Sequence, residues 1–561
     1  MCGIFCFIGK NLNKEKLIQA SNAIQARGPD NSQHVVIHDE LFFSFHRLSI
    51  NGLDQGSNQP LVKDKLYLIC NGEIFNYKEL IQKYSLNDVY ISHSDCEIIL
   101  HLYEKIGFEK MCLELDGEFA FVLYDQAIEK TFIARDHLGI RSLYIGIKEK
   151  NNNDNNKVND NDNNTDNNDS SHQDLQTNII ISSELKGIDE SYQVEQFPPR
   201  FYLTIDNQNL QSRIYKEYFQ IVRGLQDDDY EEDENQIIRN IYIHFYEAVK
   251  KRLLSDRNIG CLLSGGLDST SVVALVSQFY EPYTLNTYSI GLKGSIDLQY
   301  AQDAANYFQT KHTTIELSND EFLHAIDKTI KQIESYDVTT VRASVGNYLV
   351  SLYIRDHSDD KVIFCGDVSD EIFGSYRGFY YANDDDAFFN ENLKMIQNIH
   401  YFDVLRSDRS ISGAGLEARV PFSDKSFVQY VMKIHPKLKQ FNNGKMEKYL
   451  FRKAFEHILP EKLAWRSKTA FSDGVGSSDN QWFQVLKNFM EDKYTDDEYL
   501  QKIENFDFNK PYDKESLYYR EIFEKYYPNK EKTIPYFWKQ PFMNQEDPSA
   551  WQVENYSEIK N

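Results

Sequence analysis

The sequence places a cysteine directly behind its first methionine, in "MCGIF". A small second residue permits removal of Met1, and Cys2 would then carry a free α-amino group beside its thiol. That pairing activates a nucleophile, because the amine serves as the general base. The plainer reading is a hydrophobic first strand whose cysteine comes early. A second stretch, "GCLLSGGLDSTSVVAL", runs from an apolar strand through Ser264-Gly265-Gly266-Leu267-Asp268-Ser269 into a helix. Backbone N–H groups at such a turn, with the positive end of the helix, make an anion site. The stretch lacks G-x-x-x-x-G-K-[ST], so it is not a loop that holds phosphates through its lysine. Asp268 would repel phosphate unless a cation sits between them, which points to a Mg²⁺-bridged pyrophosphate. The plainer reading here is a tight strand-to-helix turn. Further on, "CGDVSDE" follows another strand. Asp370 then lies at a carboxyl end of the sheet, where open α/β sheets bind ligands. Two acidic residues from two strand ends can share one Mg²⁺.

These residues need two kinds of scaffold. Up to about residue 205 the chain reads as strands with few long helices: "ELFFSFHRLSI", "DKLYLICNGEIF" and "GEFAFVLYD" are short apolar or alternating runs bounded by Gly, Asn and Asp. "DCEIILHLYEKIG" reads as a helix with a glycine stop. Beyond the acidic stretch "QIVRGLQDDDYEEDENQ" the pattern changes to alternation. A helix ("IIRNIYIHFYEAVKKRLL") leads to the strand "IGCLL", the glycine turn, the helix "TSVVALVSQFY" and the strands "NTYSIGL" and "KVIFCG". Strands alternating with helices imply a parallel sheet with crossover helices. The expected domains are 1–205 and 235–561. From Asn151 to Ser170, 16 of 20 residues are Asn or Asp. Such a segment has no apolar surface to bury, and a disordered insertion is expected at about 149–175. Strand-like runs flank it, so it reads as an enlarged hairpin loop, an insertion whose closure costs little.

The 561 residues carry 61 basic and 86 acidic side chains, a net charge of -25 that argues against a non-specific nucleic-acid binder. Seven scattered cysteines without a C-x-x-C pair indicate neither a zinc site nor a disulfide framework. No leader-like segment precedes Cys2, and no apolar run reaches membrane-spanning length. A reduced, cytoplasmic protein is expected, acting on small molecules rather than on nucleic acid or a membrane.

The glycine turn and "CGDVSDE" together resemble the pyrophosphate site of ATP pyrophosphatases. In the first half, "MCGIF", "ARGPD", "HRLSI", "NGEIFNY", "SDCEIIL", "LDGEFAFVLYD" and "ARDHLGIRSLY" follow in order. That series resembles a class II glutamine amidotransferase domain of the N-terminal-nucleophile type. With "YDVTTVRAS", "GLEARVPFSDK", "NGKMEK" and "AWRSKTAFSDGVG" in the second half, the whole chain resembles the glutamine-hydrolysing asparagine synthetase family. The resemblance implies an α+β glutaminase domain of antiparallel sheets with helices, followed by an α/β parallel-sheet synthetase domain. It also implies ATP and Mg²⁺ as cofactors, and glutamine, aspartate and ATP as small-molecule substrates. A homodimer is an assembly it allows.

The implied glutaminase residues are Cys2 as nucleophile, the Asn71 side chain and Gly72 N–H as oxyanion hole, and a glutamine site formed by Arg47, Leu48, Ser49, Ile50, Asn51, Glu73 and Asp95. Arg47 would clamp the α-carboxylate, and Glu73 and Asp95 would accept from the α-ammonium. The implied ATP contacts are Leu262, Ser264, Gly265, Gly266, Asp268, Ser269, Ile290, Cys365 and Gly366, with Asp268 and Asp370 facing Mg²⁺. Lys468 would contact pyrophosphate, and Asp367 would serve in forming and aminating the aspartyl intermediate. Arg342 and Arg419 are weaker candidates for substrate or phosphate contact, against structural pairing. Two departures stand out. The family commonly has Glu where this chain has Asp367, often beside glycine where it has Val368, and it usually has leucine at Ser423. Three rivals are a ligase for another carboxylate, a nucleotide-base amidating enzyme and a scaffold on a decayed synthetase. Intact Cys2, Asp268 and Lys468 count against them.

Overall fold

A computed structural model of the chain describes residues 1–87, 90–150, 176–221, 233–441, 444–467, 476 and 481–543. The expected Asn/Asp-rich loop and Lys468 lie outside the described residues.

The first half builds two six-stranded sheets from β1 (Gly3–Ile8), β2 (Asn31–His38), β3 (Leu41–Arg47), β4 (Leu61–Lys63), β5 (Leu66–Ile74), β6 (Gly117–Asp125), β7 (Lys130–Arg135), β8 (Tyr144–Lys150), β9 (Gln176–Ser182), β10 (Gln193–Gln196), β11 (Phe201–Asp206) and β12 (Asn209–Glu217). One sheet has the order β10-β8-β9-β1-β3-β2 and the other β12-β11-β7-β6-β5-β4. All pairings in both are antiparallel. The alternation seen in sequence explains how they stack. Ile4, Cys6 and Ile8 of β1 join Phe43, Ile69, Val122, Ile133 and Ile181 in one apolar layer between the sheets. Phe5 and Phe7 face the other way, because successive side chains of a strand point to opposite faces. On the far side of the second sheet, Leu68, Phe119 and Phe121 pack with the helix Ile98–Ile106. Helices therefore flank two face-to-face sheets. β8 and β9 pair from Tyr144↔Ser182 to Lys150↔Gln176, the hairpin partners expected on either side of the Asn/Asp tract.

The second half is built on a five-stranded sheet, order β15-β14-β13-β16-β17, from β13 (Ile259–Leu262), β14 (Asn286–Leu292), β15 (Lys311–Leu317), β16 (Val362–Phe364) and β17 (Glu417–Arg419). Every pairing is parallel. The helix Leu267–Val276 follows β13 and is buried throughout its later turns, as the unbroken apolar run "VVALV" requires. The order reverses between β13 and β16, which places a crevice at their carboxyl ends. No helix among the described residues is long and apolar enough to cross a membrane.

Candidate active sites

Cys2 sits at the start of β1, half-buried, its Sγ donating to the Leu48 carbonyl at 3.6 Å. Burial pushes its thiol up to about 11. Met1 is present and fully buried, and its ammonium donates to Leu416 O at 2.8 Å. The nitrogen of Cys2 is therefore a peptide nitrogen here, and the free amine expected from sequence requires loss of Met1. Asn71 lies on β5, paired with Ala120 of β6. Its side chain is fully buried, and neither Oδ1 nor Nδ2 has a hydrogen-bond partner among the described residues. An unpartnered buried amide is expensive to keep, and a donor so kept is what an oxyanion needs. Gly72 is required by the sheet: a Cβ there would fall 2.4 Å from Glu118 O and 2.7 Å from Phe119 Cα.

Glu73 and Asp95 are both buried beside these groups. Asp95 Oδ2 accepts from Ile74 N at 2.6 Å. Burial raises its carboxyl to about 6. Burial also raises Glu73 well above the carboxylate range, with Asp95 and Glu417 adding repulsion against the pull of Arg419. Asn51 Nδ2 donates to Glu73 Oε2. Two buried carboxyl groups so placed are chemically suited to an ammonium. The segment Leu48–Asn51 is tethered from the second half of the chain: Arg257 Nε donates to Ser49 O at 2.9 Å, and Asp256 N to Ile50 O at 3.0 Å. Ser49 N donates to Asp30 Oδ2 at 2.8 Å. Arg47 donates to Asp54 O, to Asn58 Oδ1 and to Gly52 O. It thus holds its own loop.

The crevice at the ends of β13 and β16 is a cavity of about 220 Å³. Leu262, Ser264, Gly266, Asp268 and Ser269 line it from the glycine turn. Ile290 comes from β14, and Cys365, Gly366, Asp367 and Asp370 from the loop after β16. Ser269 Oγ closes the turn by accepting from Ser264 N at 3.1 Å. Gly265 does not line the cavity. It has φ +72, and a Cβ there would meet Ala301 N at 2.4 Å. Asp268 and Asp370 converge on one cation, Lys448 Nζ, at 2.7 and 2.6 Å. Ser369 Oγ also donates to Asp268 Oδ1 at 2.9 Å. Asp367 is held by Arg406 Nη2 at 2.6 Å and by Ser407 Oγ. Arg466 pairs with Asp297, donates to Gly265 O at 3.1 Å and lies 3.9 Å over the Tyr300 ring.

The family model for a glutamine amidotransferase domain matches residues 1–224, and that for asparagine synthase matches 240–394 and 383–554. The asparagine synthetase [glutamine-hydrolyzing] of Rattus norvegicus is 36% identical over 99% of this chain and 99% of its own. The chain belongs to the glutamine-hydrolysing asparagine synthetase family. A probable asparagine synthetase of Acanthamoeba polyphaga mimivirus is 36% identical over 98% of this chain and 99% of its own, and the Homo sapiens enzyme 35% over 99% of each. Among solved structures, an allosteric regulatory enzyme of purine biosynthesis covers 56% of this chain and 80% of its own at 12% identity and a TM-score of 0.31, too distant to bear on fold or function.

Within this asparagine synthetase fold the halves meet across buried charge. Arg27, from "ARGPD", donates from Nη1 and Nη2 to Asp408 at 2.7 and 3.0 Å. It also pairs with Glu184 at 3.0 Å and donates from Nε to Cys2 O at 2.8 Å. Arg27 and Arg409, which lies over Tyr144, hold Asp408 below the carboxylate range despite its burial. Arg419 pairs with Glu417 at 2.6 Å and reaches Glu73 at 3.7 Å, on the glutaminase side. Arg342 pairs bidentately with Glu515. Of the two weaker arginine candidates, neither lines the cavity. Ser423 is fully buried, its hydroxyl donating to Val420 O, which is a packing role. The residues that sequence reasoning missed are Lys448, Arg466, Arg406 and Ser407. Lys448 and Arg466 stand inside the quoted stretches "NGKMEK" and "AWRSKTAF", so the signal was present without an assigned partner.

Proposed function

We propose that this chain makes asparagine from aspartate, using ATP, with glutamine as the nitrogen donor. The reading rests on one arrangement: a thiol and an unpartnered buried amide in one half, and a glycine turn with three facing aspartates in the other, joined by a buried interface. Family membership supports it over the whole chain.

In the first site burial raises the thiol above its ordinary value, so attack requires a base. The α-amine of Cys2, once Met1 is removed, takes the proton. The thiolate adds to the side-chain amide carbon of glutamine. Asn71 Nδ2 and Gly72 N–H stabilise the oxyanion, the α-ammonium of Cys2 returns its proton to the departing nitrogen as ammonia leaves, and water, giving a proton to the same amine, hydrolyses the thioester to glutamate and the free thiol. Glu73 and Asp95 bind the α-ammonium, and Arg47 the α-carboxylate. Ammonia crosses within the interface between the halves, where it stays unprotonated and nucleophilic. In the second site the β-carboxylate of aspartate attacks the α-phosphorus of ATP and pyrophosphate leaves. Ammonia then adds to the acyl carbon and displaces AMP. The glycine turn Ser264–Ser269 cradles the phosphates, with Leu262, Ile290, Cys365 and Gly366 against the nucleoside. Lys468 neutralises the leaving pyrophosphate, and Asp367 serves the aspartyl intermediate.

Mg²⁺ suits this donor set. Asp268 and Asp370 already share one positive charge, that of Lys448. No group of three or more His, Cys, Asp or Glu among the described residues makes a metal cage, so phosphate and water oxygens would supply the remaining ligands. Bound there, the ion would offset phosphate charge. We further propose the domain division 1–205 and 235–561. All seven cysteines are free thiols, which supports a cytoplasmic setting; a homodimer is kept as the assembly to test by sedimentation.

The test supplies ATP, Mg²⁺, glutamine and a series of acids, and measures AMP, pyrophosphate and the amide product. Aspartate should give asparagine, AMP and pyrophosphate in equal amounts. A different preferred acid, or ADP as product, would sink the reading.

A further inference from the structure

Asp367 carries a short side chain whose carboxylate is held from two sides. Arg406 Nη2 donates to Oδ1 at 2.6 Å. Ser407 Oγ contacts Oδ2. A hydroxyl has one proton to give. Ser407 Oγ also lies 3.0 Å from Asp403 O, and the charged carboxylate is the stronger acceptor of the two. Arg406 is itself pinned, with Nε on Asp403 Oδ1 at 3.2 Å. Both residues stand on the helix Asp403–Ser412, which is buried from Val404 to Ser412. On the other side of Asp367 the backbone is equally constrained: Val368 is buried and adopts φ +79, a conformation rare for a β-branched residue. Asp367 lines the cavity, so this clamp fixes where its charge faces.

We infer that Ser407, with Arg406, positions Asp367: its hydroxyl occupies the space that a longer side chain would need. The inference rests on the reading that Asp367 serves the synthetase reaction. A glutamate would bring its carboxylate roughly 1 Å further, and a misplacement of that size costs on the order of a hundredfold in rate. With Ser407 present the extra methylene collides with the hydroxyl. With alanine at 407 it has room.

Four full-length proteins test this: the parent, Asp367→Glu, Ser407→Ala and the double variant. Ammonium-dependent synthesis is measured as kcat and as KM for aspartate and ATP, with glutamine hydrolysis as the control for an intact fold. Asp367→Glu should lose about a hundredfold in kcat and Ser407→Ala about tenfold, with KM for ATP unmoved. The double variant should recover to within about tenfold of the parent, far above the thousandfold loss that independent effects would multiply to. Ser407→Thr, which keeps the hydroxyl, should fall less far than Ser407→Ala. Multiplying losses in the double variant, or equal losses for Thr and Ala at 407, would overturn the positioning role. Asp367→Asn separates this from the underlying reading. Loss of synthesis with glutamine hydrolysis intact supports Asp367 in the synthetase site. A parent-like Asp367→Asn would overturn that assignment and the inference with it.

Discussion

Around Cys2, Asn71 keeps a buried amide without a partner among the described residues, and Glu73 and Asp95 are buried close together. Around Asp268 four carboxylates already have cationic partners: Lys448 bridges Asp268 and Asp370, Arg406 holds Asp367 and Arg466 holds Asp297. The first site keeps an unmet hydrogen-bonding demand at Asn71, on an antiparallel strand paired along both edges. The second holds its carboxylates in ion pairs with Lys448, Arg406 and Arg466. On the proposed function, the first site takes a neutral amide that bears an ammonium and the second a highly charged nucleotide.

Removing the thiol breaks the comparison most completely. Cys2→Ala should abolish glutamine-dependent synthesis while leaving synthesis from an added ammonium salt near the parent rate. Loss of both in a folded protein would show that the sites are not separable. Retained Met1, read by mass spectrometry of the N-terminus, should act like the substitution, because it acylates the base.

Lys448→Met tests the second site. The lysine is buried at 2% side-chain exposure, and breaking a buried pair from one side costs about 3–5 kcal/mol. Synthetase kcat/KM for ATP should fall on the order of a hundredfold, with glutamine hydrolysis unchanged. Parent-like pyrophosphate release at saturating Mg²⁺ would instead mean that Lys448 only holds the place of the ion.

The contrast also explains what could be read from the sequence. Cys2, Asn71 and Gly72 are local: the candidate nucleophile stands just before a strand in "MCGIF", and the oxyanion pair that the resemblance implied lies on one strand in "NGEIF". The strands "GEFAFVLYD" and "NTYSIGL" form at those residues, Gly117–Asp125 and Asn286–Leu292, because alternation and β-branching dictate them locally. Charge pairs are not local. Ser407 meets Asp367 only because β16 and the helix Asp403–Ser412 are brought together by the sheet order, and Lys448 meets Asp268 across 180 residues. Arg419 misled for the same reason: β17 runs beside β16, but the side chain pairs toward Glu73 and Glu417. A lone arginine in a sequence carries no sign of which face it will take.

A smaller, pH-dependent difference follows from Asp95. Its ordinary value is about 3.9, and burial raises it to about 6. Binding an α-ammonium needs the ionised form, so kcat/KM for glutamine hydrolysis should fall as pH drops through about 6. Stability moves the other way. A carboxyl raised in the folded state contributes stability that is full below the unfolded value and is lost as pH rises through the folded one. Between about pH 4 and 6, then, Asp95 makes the fold weaker and the site stronger. Asp95→Asn should remove this limb from the pH profile and leave a low, flat rate. A parent-like profile in that variant would assign the ammonium to Glu73 alone.

The least effect is expected at Val368, and its sign is unusual. A left-handed conformation costs an L-residue about 1–2 kcal/mol, and Val368 bears it at φ +79 while 2% exposed. Truncation to alanine removes two buried carbons, worth about 0.8 kcal/mol each, and keeps most of the strain. Truncation to glycine removes one carbon more but releases the strain. Glycine is ordinarily worse than alanine inside regular structure by about 0.5–1 kcal/mol. Here Val368→Gly should be at least as stable as Val368→Ala, read as the Tm of the two variants without ligands. The ordinary order, glycine below alanine, would show that the loop after β16 bears no strain, and that its geometry is set by the Arg406 and Ser407 clamp alone.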